Sequence, residues 1–204
     1  MIRFKQFTAK QYRILRNMAE DEIYAQKGTK AWRAIDAGVY FLLVIMIALA
    51  IRCYIFEPVR VEGSSMVPTL LHNEYMFVEK VSYWFDMPER GDIIICYYPG
   101  YKESCVKRVI GLPGEYVSVS DGRVLINGVP LDETEYWNDE IYDDYSGTTV
   151  GNREVFVIGD NRNGSKDSRN ESVGCIPMSK VVGKVRAVVF PLNRFRIVRG
   201  ARYP

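Results

Sequence analysis

A single histidine, His72, and four cysteines, Cys53, Cys96, Cys105 and Cys175, narrow the hydrolytic chemistry open to this chain. A Ser-His-Asp arrangement needs an imidazole at the serine. His72 follows Ser65 by seven residues in the turn-like run LLHNE, the setting of a surface residue rather than a base. A cysteine nucleophile lacks its histidine for the same reason. With no C-x-x-C pair and one histidine, a zinc site is not expected, and neither is any other metal or cofactor. What remains is a serine activated by a lysine. An amine serves as a base only when neutral, which requires burial to pull its pKa down. Lys107, in the strand-like run SCVKRVIGLPG, is a candidate: alternation turns one side chain inward and its neighbour Arg108 outward. Taken alone, a lysine on a strand is more often solvated.

The elements that must position such a pair begin with an anchor. Residues 37–51, AGVYFLLVIMIALAI, carry no charge, and 53–56 extend the run past Arg52, whose side chain can snorkel to the interface. A span over 37–56, roughly 30 Å as a helix, matches a bilayer core. The preceding tail is too long for an ordinary signal-peptide leader, and no A-x-A-like site follows the apolar run. Residues 1–36 hold eight Lys/Arg against four Asp/Glu, while the rest hold 19 against 21. That asymmetry predicts a cytoplasmic N-terminus, with 57–204 outside. It also argues against nucleic-acid binding, which would put the basic stripe on the folded domain. Within the tail, 3–35 mixes Phe4, Phe7, Tyr12, Ile14, Leu15 and Met18 with basic residues, as a helix lying on a membrane surface would, or a loose tail.

After residue 57 the texture is β-like: runs at 74–81, 92–98, 104–110, 115–120, 123–126, 154–159 and 180–190 alternate with turn signals. Asn127-Gly128 marks a two-residue hairpin and Pro113-Gly114 a type II turn. A mainly β, antiparallel domain behind one transmembrane helix is predicted. Seven acids and no Lys or Arg between Leu131 and Gly151 read as an exposed, mobile insertion. Its spacing lacks the glycine and closing glutamate of an EF-hand loop. Cys96 and Cys105 stand where a hairpin could oppose them, as a disulfide or as two buried thiols.

Three segments together resemble the bacterial type I signal peptidases, in a Gram-positive-like version. GSSMVPTL (63–70) resembles the family's serine box, KRVIGLPGE (107–115) its lysine box, and GDNRNGSKDSR (159–169) its glycine-aspartate-asparagine-arginine box. RGDII (90–94) resembles a fourth, structural box. Their order, and the apolar segment ahead of them, agree with the family from about residue 37 onward. The resemblance implies a membrane-bound serine endopeptidase that removes signal peptides from exported preproteins after small residues in an A-x-A-like pattern. Ser65 takes the place of the nucleophile and Lys107 that of the general base, with Ser165 orienting the amine. Arg108 with Asp160, and Asp167 with Arg169, together with Arg162, look like bracing charges. Met66 and Val67 fall where a substrate pocket is expected. One departure stands out: some members place a serine hydroxyl two residues before the nucleophile to hold the oxyanion, and here that position is Gly63. The oxyanion would then rest on backbone amides, chiefly that of Ser65, with Ser64 as a further donor. The expected partners are preproteins and the lipid bilayer, with no nucleic acid and no metal. Two other readings are a self-cleaving Ser-Lys protein, disfavoured by the apolar span, and an anchored β-rich binding module.

Overall fold

The computed structural model describes residues 9–27, 30–137, 139–201 and 203. The chain divides into two units, Met1–Ile51 and Arg52–Pro204. In the first, α1 (Ala9–Lys27) precedes α2 (Lys30–Ala50). The stretch Trp32–Ala50, 19 residues, is long and apolar enough to cross a membrane. The helix differs from the expected 37–56 span at both ends. It starts at Lys30 because charged residues such as Lys30, Arg33 and Asp36 end a hydropathic run without disfavouring a helix. It ends at Ala50, followed by a π-type turn over Ile51–Ile55, and Phe56 already opens a strand. Pro58 biases Glu57 before it toward extended backbone, in keeping with the strand that opens at Phe56. Of the amphipathic tail segment expected over 3–35, residues 3–8 and 28–29 lie outside the described residues.

In the second unit the strands are, in chain order, β1 (Phe56–Arg60), β2 (Tyr75–Glu79), β3 (Ile93–Tyr97), β4 (Ser104–Gly111), β5 (Tyr116–Ser120) and β6 (Arg123–Ile126). They continue with β7 (Val129–Pro130), β8 (Tyr145–Thr149), β9 (Glu154–Ile158), β10 (Ile176–Pro177), β11 (Val181–Phe190) and β12 (Arg196–Ile197). The larger sheet runs β1-β2-β11-β3-β4-β9-β10, with β12 on β11; the smaller runs β7-β6-β5-β8. All pairings are antiparallel. Pro58 sits on the edge strand β1, where a missing N–H is tolerated. The predicted turns form: Asn127 and Gly128 both take positive φ between β6 and β7, and Gly114 has φ 85° with Glu115 N donating to Leu112 O at 3.1 Å.

The large sheet is covered on both faces. Ile93 and Ile95 pack with Met66, Leu70, Met76 and Val185, while Ile94 and Cys96 pack with Val109, Val155 and Val157. This accounts for the unbroken IIIC run, which a half-exposed strand would not carry. It also corrects one expectation. Register pairs Lys107 with Ile94 and Arg108 with Ile93, so the two side chains do leave opposite faces of β4. Arg108 is nevertheless only 2% exposed, because the face it enters is also packed.

The acidic insertion is likewise corrected. Six of its acids are exposed, but Glu133, Tyr136 and Ile141 are buried, and 145–149 form β8. The segment is partly built into the fold. The aromatic triplet at 83–85 splits: Tyr83 packs inward with its hydroxyl donating to Asp92 at 2.9 Å, whereas Trp84 and Phe85 are 59% and 80% exposed.

Candidate active site

Ser65 lies in the tight loop that follows β1. Val67 N bonds back to Ser64 O at 3.2 Å and Leu70 N to Met66 O at 2.9 Å. Met66 and Leu70 plug this loop into the core, which fixes Ser65 between a buried anchor and the cleft. Lys107 approaches from β4, and its Nζ stands 2.8 Å from Ser65 Oγ and 3.0 Å from the carbonyl oxygen of Val106. Lys107 is 4% exposed. Burial pushes its amine below the ordinary lysine value of 10.5, against the opposing pull of Cys105, Asp167, Cys96 and Asp160. A serine hydroxyl in contact with a desolvated amine is equipped for proton transfer on hydrogen bonding distance alone.

The four boxes are bonded to one another here. Asp160 accepts from Arg108 Nε at 2.7 Å and Nη2 at 2.6 Å, and Thr69 of the serine box donates to the same carboxylate. Arg108 Nη1 also donates to Gly91 O of the structural box at 2.9 Å. One buried ion pair therefore joins the segments that carry Ser65 and Lys107. Asn161, which sequence reasoning left without a role, clips the loop directly: its amide donates to Ser65 O at 3.0 Å and its side chain to Ser64 O at 3.2 Å. Asp167 is buried and takes Gly159 N at 3.0 Å and Arg169 Nε at 2.8 Å. None of these charged side chains bonds to Ser65 Oγ or Lys107 Nζ, and Arg108, Asp160 and Asp167 are buried.

Arg162 has a partner that the motif did not disclose. Glu133, from the acidic insertion, receives both of its Nη groups, and Tyr136 O–H donates to Glu133 Oε1 at 2.6 Å. The Tyr136 ring also lies under Arg108, its centroid 3.9 Å from Cζ. Glu133 and Tyr136 thus complete the bracing layer. Their only sequence signal was an aromatic among acids, which composition alone assigns to solvent.

Ser165 Oγ is buried with no hydrogen-bond partner among the described residues, and Lys107 Nζ bonds to Ser65 and Val106 rather than to it. It lies against Gly159, where an added Cβ would meet Ser165 Oγ and the carbonyl oxygen of Ser65. Gly159→Ala is therefore expected to displace the Ser65 loop and lower turnover by about 10²-fold, the effect of an ångström-scale misplacement. Parallel thermal unfolding would show whether the fold survives; turnover near wild type would show the loop is not held this way. Gly63 has φ 92°, and its amide donates to His72 Nδ1 at 3.1 Å. His72 thus holds the loop's entry, the first role found for the only histidine. The Gly63 amide is committed there, whereas the amide of Ser65 has no acceptor among the described residues.

An open cleft of about 550 Å³ lies at the pair, lined by Val59, Val61, Gly63, Ser65, Met66, Ile95, Tyr97, Cys105, Val106 and Lys107, with Arg60, Glu62, Lys102 and Glu103 among its charged residues. Met66 reaches this wall. Val67 does not: the turn that follows Ser65 sends successive side chains to different sides, and only Met66 faces the cleft.

A mainly β domain with a serine and a buried lysine in contact, following a helix apolar enough for a bilayer, has the make-up of a membrane-anchored peptidase. Comparison with known proteins narrows the class. Residues 34–190 match the family model for signal peptidase, peptidase S26. Signal peptidase I of Leptolyngbya laminosa is 40% identical over 160 residues, covering 74% of this chain and 77% of the relative. Signal peptidase I T of Bacillus subtilis (strain 168) is 37% identical over 181 residues, covering 84% and 92%. Signal peptidase I of Bacillus licheniformis is 37% identical over 164 residues, covering 76% and 88%. The chain belongs to the S26 signal peptidases.

Proposed function

We propose that this protein cleaves signal peptides from exported preproteins with a Ser65–Lys107 dyad, cutting after small residues in an A-x-A-like pattern. The observation that supports it most is the 2.8 Å contact between Lys107 Nζ and Ser65 Oγ at a buried amine. Neutral Lys107 takes the Ser65 proton as Oγ attacks the scissile carbonyl, and the ammonium so formed gives that proton to the departing amine. Water then releases the acyl group from Ser65, activated by the same lysine. The Ser65 amide holds the oxyanion, a task worth about 2.7–4 kcal/mol for a single donor in sites built around one. Ser64 supplies a second donor. Ser165, with its unpaired buried hydroxyl, orients the amine as it turns from Ser65 toward the leaving group. Arg108, Asp160, Arg162, Asp167 and Arg169 hold the segments together.

The substrate lies extended along the cleft, where the apolar side chains of Val59, Val61, Met66 and Ile95 suit small residues. The stretch Trp32–Ala50 anchors the protein in the bacterial cell membrane, and the basic excess ahead of it keeps the N-terminus cytoplasmic and 57–204 outside. The deciding experiment incubates the detergent-solubilised full chain with a preprotein whose signal peptide ends in Ala-x-Ala. One cut by wild type and none by Ser65→Ala is the expected result. Cleavage that survives in Ser65→Ala would remove the assigned nucleophile.

A further inference from the structure

Two thiols beside Lys107 have no part in the peptidase chemistry proposed above. Cys96 on β3 and Cys105 on β4 are register partners, so both side chains leave the same face of the sheet. Directly opposed residues on antiparallel strands have Cα atoms about 4.5–5.5 Å apart, inside the roughly 4.4–6.8 Å that a disulfide spans. The two Sγ atoms are 3.6 Å apart, and both residues are free thiols. The strands already hold the sulfurs face to face, and side-chain rotation would bring them to bonding distance.

The environments of the two differ in a way that assigns an order of reaction. Cys96 is fully buried, whereas Cys105 is half-buried and lines the cleft next to Lys107. The Cys96–Cys105 hydrogen bond, with Lys107 nearby, holds the Cys105 thiol below its usual range, and the same bond together with burial pushes Cys96 well up. An accessible thiol of lowered pKa is the attacking group in thiol–disulfide exchange, and a neighbouring buried one resolves the intermediate. Cys175, also half-buried, has no such thiol partner among the described residues, and burial raises its pKa.

We propose that Cys96 and Cys105 form a thiol–disulfide exchange site opening into the cleft, which accepts a small-molecule disulfide and closes an internal disulfide across β3 and β4. The Cys105 thiolate attacks one sulfur of the incoming disulfide and expels the other half as a thiolate. Cys96 then attacks Cys105 Sγ, its proton passing to the first released thiolate, and the second half leaves as a thiolate that takes up the proton Cys105 shed on ionising. The two cysteines are oxidised by two electrons, and one disulfide is reduced to two thiols. The inference rests on the geometry of the pair and holds whether or not the cleft takes signal peptides.

Oxidised glutathione is a suitable probe. The full chain carrying Cys53→Ser and Cys175→Ser is exposed to it in detergent, quenched with acid, alkylated and weighed. The expected product has lost the mass of two hydrogens, takes no alkylating agent, carries no glutathione and yields a peptide linking residues 96 and 105; reductant restores two alkylatable thiols. In the same background Cys96→Ser should stop at one glutathione on Cys105, while Cys105→Ser should leave Cys96 reacting at least ~10-fold more slowly. Two alkylatable thiols after exposure, or a stable glutathione adduct on Cys105 with Cys96 still present, would overturn the proposal.

Discussion

Lys107→Arg is expected to abolish cleavage, by on the order of 10⁴-fold or more, although it keeps the positive charge. A guanidinium cannot be deprotonated in a protein, so the variant has no base to offer Ser65. Lys107→Met, nearly the same length and uncharged, should be equally inactive, which separates the loss of a base from the crowding a larger head group brings. The same assignment fixes a pH dependence. Burial lowers the Lys107 pKa from 10.5, and the neutral amine is the competent form, so turnover should rise from acid to mildly alkaline pH as the proton is lost. Stability follows the same linkage. With a depressed native pKa, the unfolded chain binds more protons between the native value and 10.5, so stability falls as pH drops through that window. Lys107→Met removes this cost and should melt at or above the wild-type temperature at neutral pH. Cleavage by Lys107→Arg within 10²-fold of wild type, or a flat pH–rate profile, would assign the base elsewhere.

Much of this site was legible in the sequence, for identifiable reasons. Strand alternation offered Lys107, whereas Ser65 and the charges around residues 159–169 took their roles from the resemblance of their segments to the family's boxes. The strands announced themselves where alternation or unbroken apolar runs met turn residues, and the Asn127-Gly128 hairpin formed as its dipeptide demands. The short strands β8, β10 and β12 carried no such signal, because two to five residues have too little burial to pattern. Arg108 was misjudged because alternation tells which face a side chain enters and is silent on whether that face is packed. His72 and Asn161 were overlooked for a related reason: both act by fixing backbone atoms of the Ser65 loop, and a backbone partner leaves no trace in side-chain spacing. The helix boundary at Lys30 was missed because hydropathy reports where lipid begins, not where helix does.

Glu133→Ala should destabilise the domain by about 3–5 kcal/mol, the cost of leaving a buried charge without its partner. For a domain of this size that corresponds to a melting temperature lower by roughly 6–20 °C. The glutamate sits in a segment whose other six acids are exposed, and composition gives no reason to single it out. Burial and geometry do: its carboxylate receives both Nη groups of Arg162, itself 1% exposed, and the Tyr136 hydroxyl. Asp143→Ala, exposed on the same segment, should change stability by no more than about 0.5 kcal/mol. The pairing can be isolated with a cycle. Arg162→Met alone strands Glu133, and Glu133→Ala alone strands Arg162, but the double variant strands neither, so its loss should be well short of the sum of the singles. Additive losses, or a Glu133→Ala variant as stable as Asp143→Ala, would return the acidic segment to the solvated insertion that its composition suggests. A strong coupling would instead make it the outer wall of the site. Tyr136 carries that wall from Arg162 to Arg108, and Arg108 holds Asp160, which binds the loop that bears Ser65.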